Sequence, residues 1–483
     1  VVGFVYGIAR RLGVTRHWML LVGVLLTFLL TLLLAFWRLP LTVFTAKLAW
    51  LSLGCYGLAL VLLRVPLRVA NPQVAPDSRR VHAATVTLPH SGTIGHYAVV
   101  GLVVLAFAVR IGGMLHPHYK FSDIGLNVNN QLFFNSGSVY QTEGLPAEAG
   151  GGDAPYPPGQ YIVLAPLQLL FPSGRASVEL LLQIGNALLD SLVVGAIWYV
   201  LRRRLHGQLA ALIGALLYVL PPPALKSFSV GEFANLFGQG LTIPLLVALA
   251  TVPHRLREPR VFGVVLALML FALLGHSGVT ISVVLLLGYL GLVWLVGPRT
   301  WRNVRYLLML SGIAALLVGV VYHSAFVHLF ATQASAAYTS STLSFATKLG
   351  NELNRVFAGG LSPLTPLVVG LGALGVVVIA KRQRHSFRLY GFQSAIAVPS
   401  LWPLLLAWWG SIFLSLVSLL VRAQTVRWDL FLYPALCLGV GPLLAQFWRR
   451  GWAARVVVVV VLAFLLLRGL IFWLTLIINY LHV

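Results

Sequence analysis

Acidic residues are scarce in this chain: 11 Asp and Glu stand against 34 Lys and Arg in 483 residues, for a formal net charge of +23. Charge of either sign is thin, at 9%, while hydrophobic residues make up 59%. So little charge on so long a chain excludes an ordinary soluble enzyme. The only two cysteines, Cys55 and Cys437, each lie inside an apolar run. They build neither a disulfide framework nor a thiolate zinc site, and read as small core residues. The excess of arginine does not point to nucleic acid, because no basic soluble domain carries it. The arginines fall in short clusters between apolar runs, the pattern of cytoplasmic loops facing anionic lipid headgroups.

Long apolar runs take the place of charge. Segments 18–36, 42–63, 178–201, 277–296 and 456–478 are each long enough to cross about 30 Å of hydrocarbon, and the mean hydropathy is +0.90. They lack the alternation of about ten residues that marks a barrel strand. Helices are then the remaining way to satisfy backbone polar groups in lipid. The fold class expected is all-α, a polytopic transmembrane helical bundle. Arg10, Arg11 and Arg16 ahead of the first run resemble the start of a signal peptide. That run is too long and no small-residue cleavage site follows it, so it is read as an uncleaved span.

The basic clusters set the expected topology. With Arg202–Arg204, Arg255/Arg257/Arg260, Arg299/Arg302/Arg305, Lys381/Arg382/Arg384/Arg388 and Arg449/Arg450/Arg455 all cytoplasmic, the apolar segment 160–172 cannot be a span. It is short, contains Pro166 and is bounded by Pro158 and Pro172, so it reads as an interfacial or re-entrant helix. Spans are expected at 94–114, 178–201, 208–222, 234–252, 261–275, 277–296, 306–323, 361–380, 400–421, 428–446 and 456–478. With the hairpin 18–36 and 42–63 the total is about thirteen. A basic inner loop, 64–92, separates residues 1–93, an N-terminal hairpin unit, from a main unit, 94–483. The protein is expected to be a multi-pass membrane protein with a cytoplasmic N-terminus and loop 115–177 on the extracytoplasmic face.

That loop holds four of the chain's acidic residues, Asp123, Glu143, Glu148 and Asp153. Asp123 follows the end of a span. Behind it, Ile124, Val128, Leu132 and either Gln131 or Asn135 share a helical face, which predicts an amphipathic helix at the interface. Asp123 or Ser122 could cap this helix. Gly137 with Tyr140 marks a turn, and Tyr156-Pro157-Pro158-Gly159 an extended bend before the short helix. Further on, Glu232, Lys226, Arg422 and Arg427 fall on the same face, and His276 in Gly275-His276-Ser277-Gly278 falls at a turn there. An outer cation serves either to contact an anionic lipid phosphate or to anchor a helix end. Lys348, Glu352 and Arg355 lie in a second outer loop, 324–360.

An Asp after an outward span, an amphipathic helix, then NSGSVY and APYPPGQYIVLAPL, resembles the first outer loop of the GT-C superfamily, with polyprenol-phosphate-mannose-type transferases as the nearest pattern. The resemblance covers about 116–205, including the Arg202–Arg204 cluster. It implies a membrane glycosyltransferase that takes a polyprenyl-phosphate-linked sugar and delivers it to a glycan, lipid or protein acceptor. Asp123 then matches the family's first-loop acid, a general base or acceptor orienter, and Glu232 the acid of the next outer loop. Tyr156, Lys226, His276, Arg422 and Arg427 would bind substrate, with Arg427 first among the cations facing the departing phosphate. Asp123 is followed by Ile124-Gly125, so the Asp-x-Asp or Asp-x-Glu pair of some branches is missing. No metal ligand is assigned, and a divalent metal near His116 and His118 stays open as a cofactor. Two other functions stand beside this one. An accessory subunit of a larger membrane complex would use the same loop for contacts with other membrane subunits. A transporter would need mid-bilayer ionisable groups, for which Asp190, with Asn186 one turn earlier, is the candidate.

Overall fold

The computed structural model describes residues 92–116, 123–144, 153–171, 174–205, 207–296, 301–329, 344–357, 362–389, 401–422 and 427–478. The expected hairpin 18–36 and 42–63, almost all of loop 64–92, and Cys55 lie outside the described residues, as do Glu148 and the Gly150–Gly152 run.

The chain enters with α1 (Gly92–Met114), then α2 (Ile124–Asn135), a hairpin of β1 (Gln141–Gly144) and β2 (Asp153–Tyr156), and α3 (Gly159–Leu164), which tightens into a 3-10 segment at Ala165–Leu170. The long helices follow: α4 (Arg175–Leu205), α5 (Gln208–Leu217), α6 (Pro222–Val230), α7 (Phe233–Thr251), α8 (Pro259–Leu273), α9 (Ser277–Val296) and α10 (Trp301–Val321). Then come α11 (Phe345–Phe357), α12 (Pro366–Leu389), α13 (Trp402–Arg422), α14 (Trp428–Trp448) and α15 (Trp452–Ile478). Among the described residues nine helical stretches are long and apolar enough to cross a membrane, α5 and α6 together forming one of them; α8 and α13 are shorter apolar helices. Each overlaps an expected span, although the stretch expected at 208–222 runs on to Val230. The segment after Tyr-Pro-Pro is a helix of six residues followed by six of 3-10 helix, too short to cross a bilayer.

α14 is the axis of the bundle: 89% of its apolar window is buried, against 17% for α15, whose Val and Leu faces point outward. α12, α5, α13 and α15 all pack on α14. Close approach depends on glycine. A Cβ at Gly375 would stand 2.0 Å from the Gly439 carbonyl oxygen, and one at Gly439 would stand 2.4 Å from that of Gly372. Backbones meeting this closely gain packing that lipid cannot supply.

α5 and α6 are one crossing broken by Pro221-Pro222-Pro223. Pro222 and Pro223 have no N–H to give to the carbonyls four residues earlier, Tyr218 and Val219. Arg110 of α1 takes over: its guanidinium donates to Val219 O at 3.1 Å and Tyr218 O at 3.3 Å. The same side chain pairs with Asp190 of α4 at 2.6 Å, both fully buried. Tyr218 donates to the other Asp190 oxygen at 2.8 Å, and Gln239 to the Tyr218 hydroxyl at 2.7 Å. Asp190, the sole intramembrane ionisable group singled out for transport, is thus neutralised by a partner that the sequence reading passed over.

Candidate active site

Around Asp123 three stretches of chain meet at one end of the bundle. Asp123 precedes α2 and is half-buried; its N–H donates to Val230 O at 3.0 Å, joining α2 to the end of α6. It occupies the N-cap position but its side chain makes no capping hydrogen bond. The turn it holds is built on Gly231, which at φ 79° lies in the left-handed region that glycine adopts without strain.

α2 presents a polar face inward. Asn127, Asn130 and Gln131 are buried with Val128 and Phe134, while Phe133 is 55% exposed. This differs from an interface helix burying only its apolar stripe. The reason is Asn127, which joins all three stretches. Its Nδ2 donates to Asp123 O at 3.0 Å and to Gly231 O at 3.1 Å. Its Oδ1 faces the hydroxyls of Tyr156 at 3.3 Å and Tyr161 at 3.4 Å.

Tyr156 ends β2, whose pairing with β1 sets Gln141 opposite it. Its buried ring stacks on Tyr161 and meets His276 edge-on at 6.0 Å between centroids. The Tyr-Pro-Pro-Gly segment is pinned to the turn at His276, where Gly159 N–H donates to Leu274 O at 2.9 Å. A Cβ on Gly159 would come within 2.3 Å of that oxygen, so this docking needs glycine.

Glu232 and Arg427 form an ion pair across 195 positions of sequence. Glu232 is 9% exposed, and Ser227 Oγ donates to its other oxygen at 3.0 Å. Burial pushes the Glu232 carboxyl above its ordinary range; Arg427 and the Ser227 hydrogen bond oppose this, and Asp429 and Asp123 add to it. A second cluster adjoins it. Arg355 of α11 binds Glu352 at 3.0 Å and Asp429 of α14 at 2.9 Å, while the Trp428 indole N–H donates to Glu352. Burial pulls Arg355 down, but Asp429 and then Glu352 more than offset it and its pKa is raised.

Two further groups are perturbed. Glu143 on β1 is pushed up to about 7, by burial first and then by the neighbouring Asp123 carboxylate. Enclosure of its ring, then the charge of Arg427, pushes His276 down to about 4. His276 is therefore neutral at physiological pH. Its Nδ1 accepts from Gly278 N–H at 3.2 Å, which assigns the ring proton to Nε2.

Of the residues named from sequence, Asp123, Glu232, Tyr156, His276 and Arg427 come together. Lys226 stands exposed on α6, six residues before Glu232. Arg422 ends α13, and its side chain lies outside the described residues, as does His118. Sequence reasoning missed Asn127 and the grouping of Arg355 with Glu352 and Asp429, and named Glu143 among the loop acids without giving it a role. Among the described residues no three His, Cys, Asp or Glu stand close enough to hold a metal ion. The cavity beside Arg427, lined also by Asn235, Gln239 and Ser282, is about 10 Å³, at the lower limit for a single water.

No family model matches the chain, and no curated protein matches it. Among solved structures it is similar to a crystal structure described as ArnT from Cupriavidus metallidurans bound to undecaprenyl phosphate, at 19% identity and a TM-score of 0.46. The match covers 76% of this chain, and this chain spans 63% of that one.

Proposed function

We propose that the chain is an integral-membrane glycosyltransferase of GT-C type. It moves a sugar from a polyprenyl-phosphate donor to an acceptor hydroxyl, with inversion at the anomeric carbon. The observation that carries this is the meeting, on one turn at residues 230–232, of a half-buried aspartate, a buried glutamate and an arginine that the glutamate orients. Oriented cations next to a carboxylate suit a reaction that deprotonates a hydroxyl while releasing a phosphate.

In this scheme the acceptor oxygen attacks the anomeric carbon from the face opposite the phosphate and loses its proton to Asp123. The bond from that carbon to the phosphate oxygen breaks, and polyprenyl phosphate leaves with the electron pair. Arg427, held by Glu232, donates from its remaining N–H groups to the developing phosphate charge. Lys226 adds positive charge nearby, and Arg422 is assigned the same role from its position in the sequence. His276, being neutral, serves as an Nε2–H donor rather than as a cation, and Tyr156 forms the wall against which it packs. The acceptor is a glycan, lipid or protein hydroxyl, the sugar is of the mannose type, and the site faces the extracytoplasmic side.

The alternative is an accessory subunit of a larger membrane complex, and the small cavity at Arg427 favours it. The test is a transfer assay. The full chain in lipid nanodiscs is given radiolabelled polyprenyl-phosphate hexoses and pentoses in turn, with lipid and glycan hydroxyl acceptors. Release of labelled sugar to acceptor from one donor is expected. Failure with every donor, together with no measurable binding of polyprenyl phosphate, would leave the accessory role in its place.

A further inference from the structure

A cavity of about 460 Å³ lies at the other end of the bundle, where α4 ends, α5 begins, α14 reaches its last turns and α12 passes with Val378–Arg382. Leu205, Ile379 and Pro442 give it apolar walls, and the exposed Lys381, Arg382 and Arg449 also line it. No lining residue carries a carboxylate. Next to Leu205 in the chain, Arg204 is only 8% exposed, and its Nε and Nη2 find no hydrogen-bond partner. Two buried N–H groups without acceptors are costly, and Arg204, although it does not line the cavity, adds positive charge next to a residue that does. The cavity is walled by the ends of four apolar stretches long enough to cross a bilayer, so it sits at headgroup level. Its volume falls within the range of roughly 300–1,000 Å³ typical of ligand pockets.

We propose that this cavity binds an anionic phospholipid. An acyl segment lies against the apolar wall, and the phosphate is held by Lys381, Arg382 and Arg449 beside Arg204. A zwitterionic lipid brings its own ammonium group to the same place and loses most of the attraction. Cations at the membrane surface favour anionic lipid by on the order of fivefold each, or roughly a hundredfold for three.

Native mass spectrometry of the full chain, titrated with phosphatidylglycerol or phosphatidylcholine, tests this. The wild type is expected to retain one phosphatidylglycerol roughly a hundredfold more tightly than phosphatidylcholine. Millimolar inorganic phosphate should not displace it. The triple variant Lys381→Gln, Arg382→Gln, Arg449→Gln should bring the two lipids to within about fivefold of each other. Val378→Trp, at a half-buried lining position, should block retention while all the cations remain. Equal affinity for the two lipids in the wild type would overturn the proposal. So would a preference that survives the triple variant, retention that ignores Val378→Trp in a folded protein, or displacement by free phosphate. Exclusion of both lipids would mean that another segment of chain fills the cavity, and would also overturn it. If Val378→Trp does not fold, the triple variant alone decides.

Discussion

Asn127→Ala removes the side chain that holds Asp123, the 231–232 turn and the tyrosine pair in one arrangement. Two good hydrogen bonds disappear, at 3.0 and 3.1 Å, together with two hydroxyl contacts that are long for O–H donors, at 3.3 and 3.4 Å. The two carbonyls are not orphaned: Asp123 O keeps Asn127 N–H and Gly231 O keeps Phe233 N–H. The cost is therefore about 2–3 kcal/mol, two net hydrogen bonds plus a little packing, not the larger penalty of stranded buried groups. The catalytic effect is expected to be larger. Without Asn127 the Asp123 carboxylate is no longer fixed relative to the Glu232–Arg427 pair, and misplacement by about 1 Å costs about a hundredfold in rate. Asn127→Asp separates bonding from packing, since it keeps the size and the acceptor but cannot donate to either carbonyl. Both variants should slow single-turnover sugar transfer about a hundredfold with donor affinity nearly unchanged. A folded Asn127→Asp protein turning over at the wild-type rate would refute this role.

Three further outcomes follow from the same contacts. Gly159→Ala should push the Tyr-Pro-Pro segment off Leu274, lowering thermal stability by about 2 kcal/mol and freeing Tyr156 from His276; unchanged melting and activity would contradict the tight docking. Arg110→Leu leaves Asp190 buried without its partner and should cost about 3–5 kcal/mol, while Arg110→Leu with Asp190→Leu should recover much of it; a double variant that loses transfer while folding normally would return Asp190 to a functional role. Glu143, with its folded pKa near 7, is protonated in the folded chain and ionised in the unfolded one across about pH 4.5–7. It therefore makes stability fall as pH rises through that window, by at most about 3 kcal/mol. Melting temperature against pH should flatten there in Glu143→Gln, and an unaltered slope would count against a Glu143 carboxyl raised by burial and, after that, by Asp123.

How much of this could be read from sequence depends on what each feature requires. The spans were legible because crossing lipid demands an uninterrupted apolar run. The stub after Tyr156 was legible because Pro158 and Pro172 bound, and Pro166 interrupts, a run too short to cross. Asp123, Glu232 and Arg427 could each be named, because rare charges at span ends are conspicuous. Their pairing was not legible, since nothing local relates Glu232 to a residue 195 positions away. Asn127 was passed over for a definite reason. Helical periodicity assigns polar residues to water, whereas here Asn127, Asn130 and Gln131 turn inward to bind backbone from other segments. The β-hairpin escaped notice because Gln-Thr-Glu-Gly has no alternating apolar pattern. Arg110 carried a signal that was overlooked: a lone arginine within one span and a lone aspartate within another are each costly unless they meet. Prolines at 222 and 223 marked, in retrospect, the carbonyls that this arginine would have to satisfy.

The most direct test is single-turnover sugar transfer by Asp123→Asn, measured in nanodiscs at saturating polyprenyl-phosphate sugar alongside donor binding and thermal melting. Loss of a proton acceptor should lower the rate by at least about a hundredfold while donor affinity and melting temperature stay close to those of the wild type. Wild-type transfer in a folded, donor-binding Asp123→Asn protein would contradict the assignment of the base and, with it, the mechanism built around this end of the bundle.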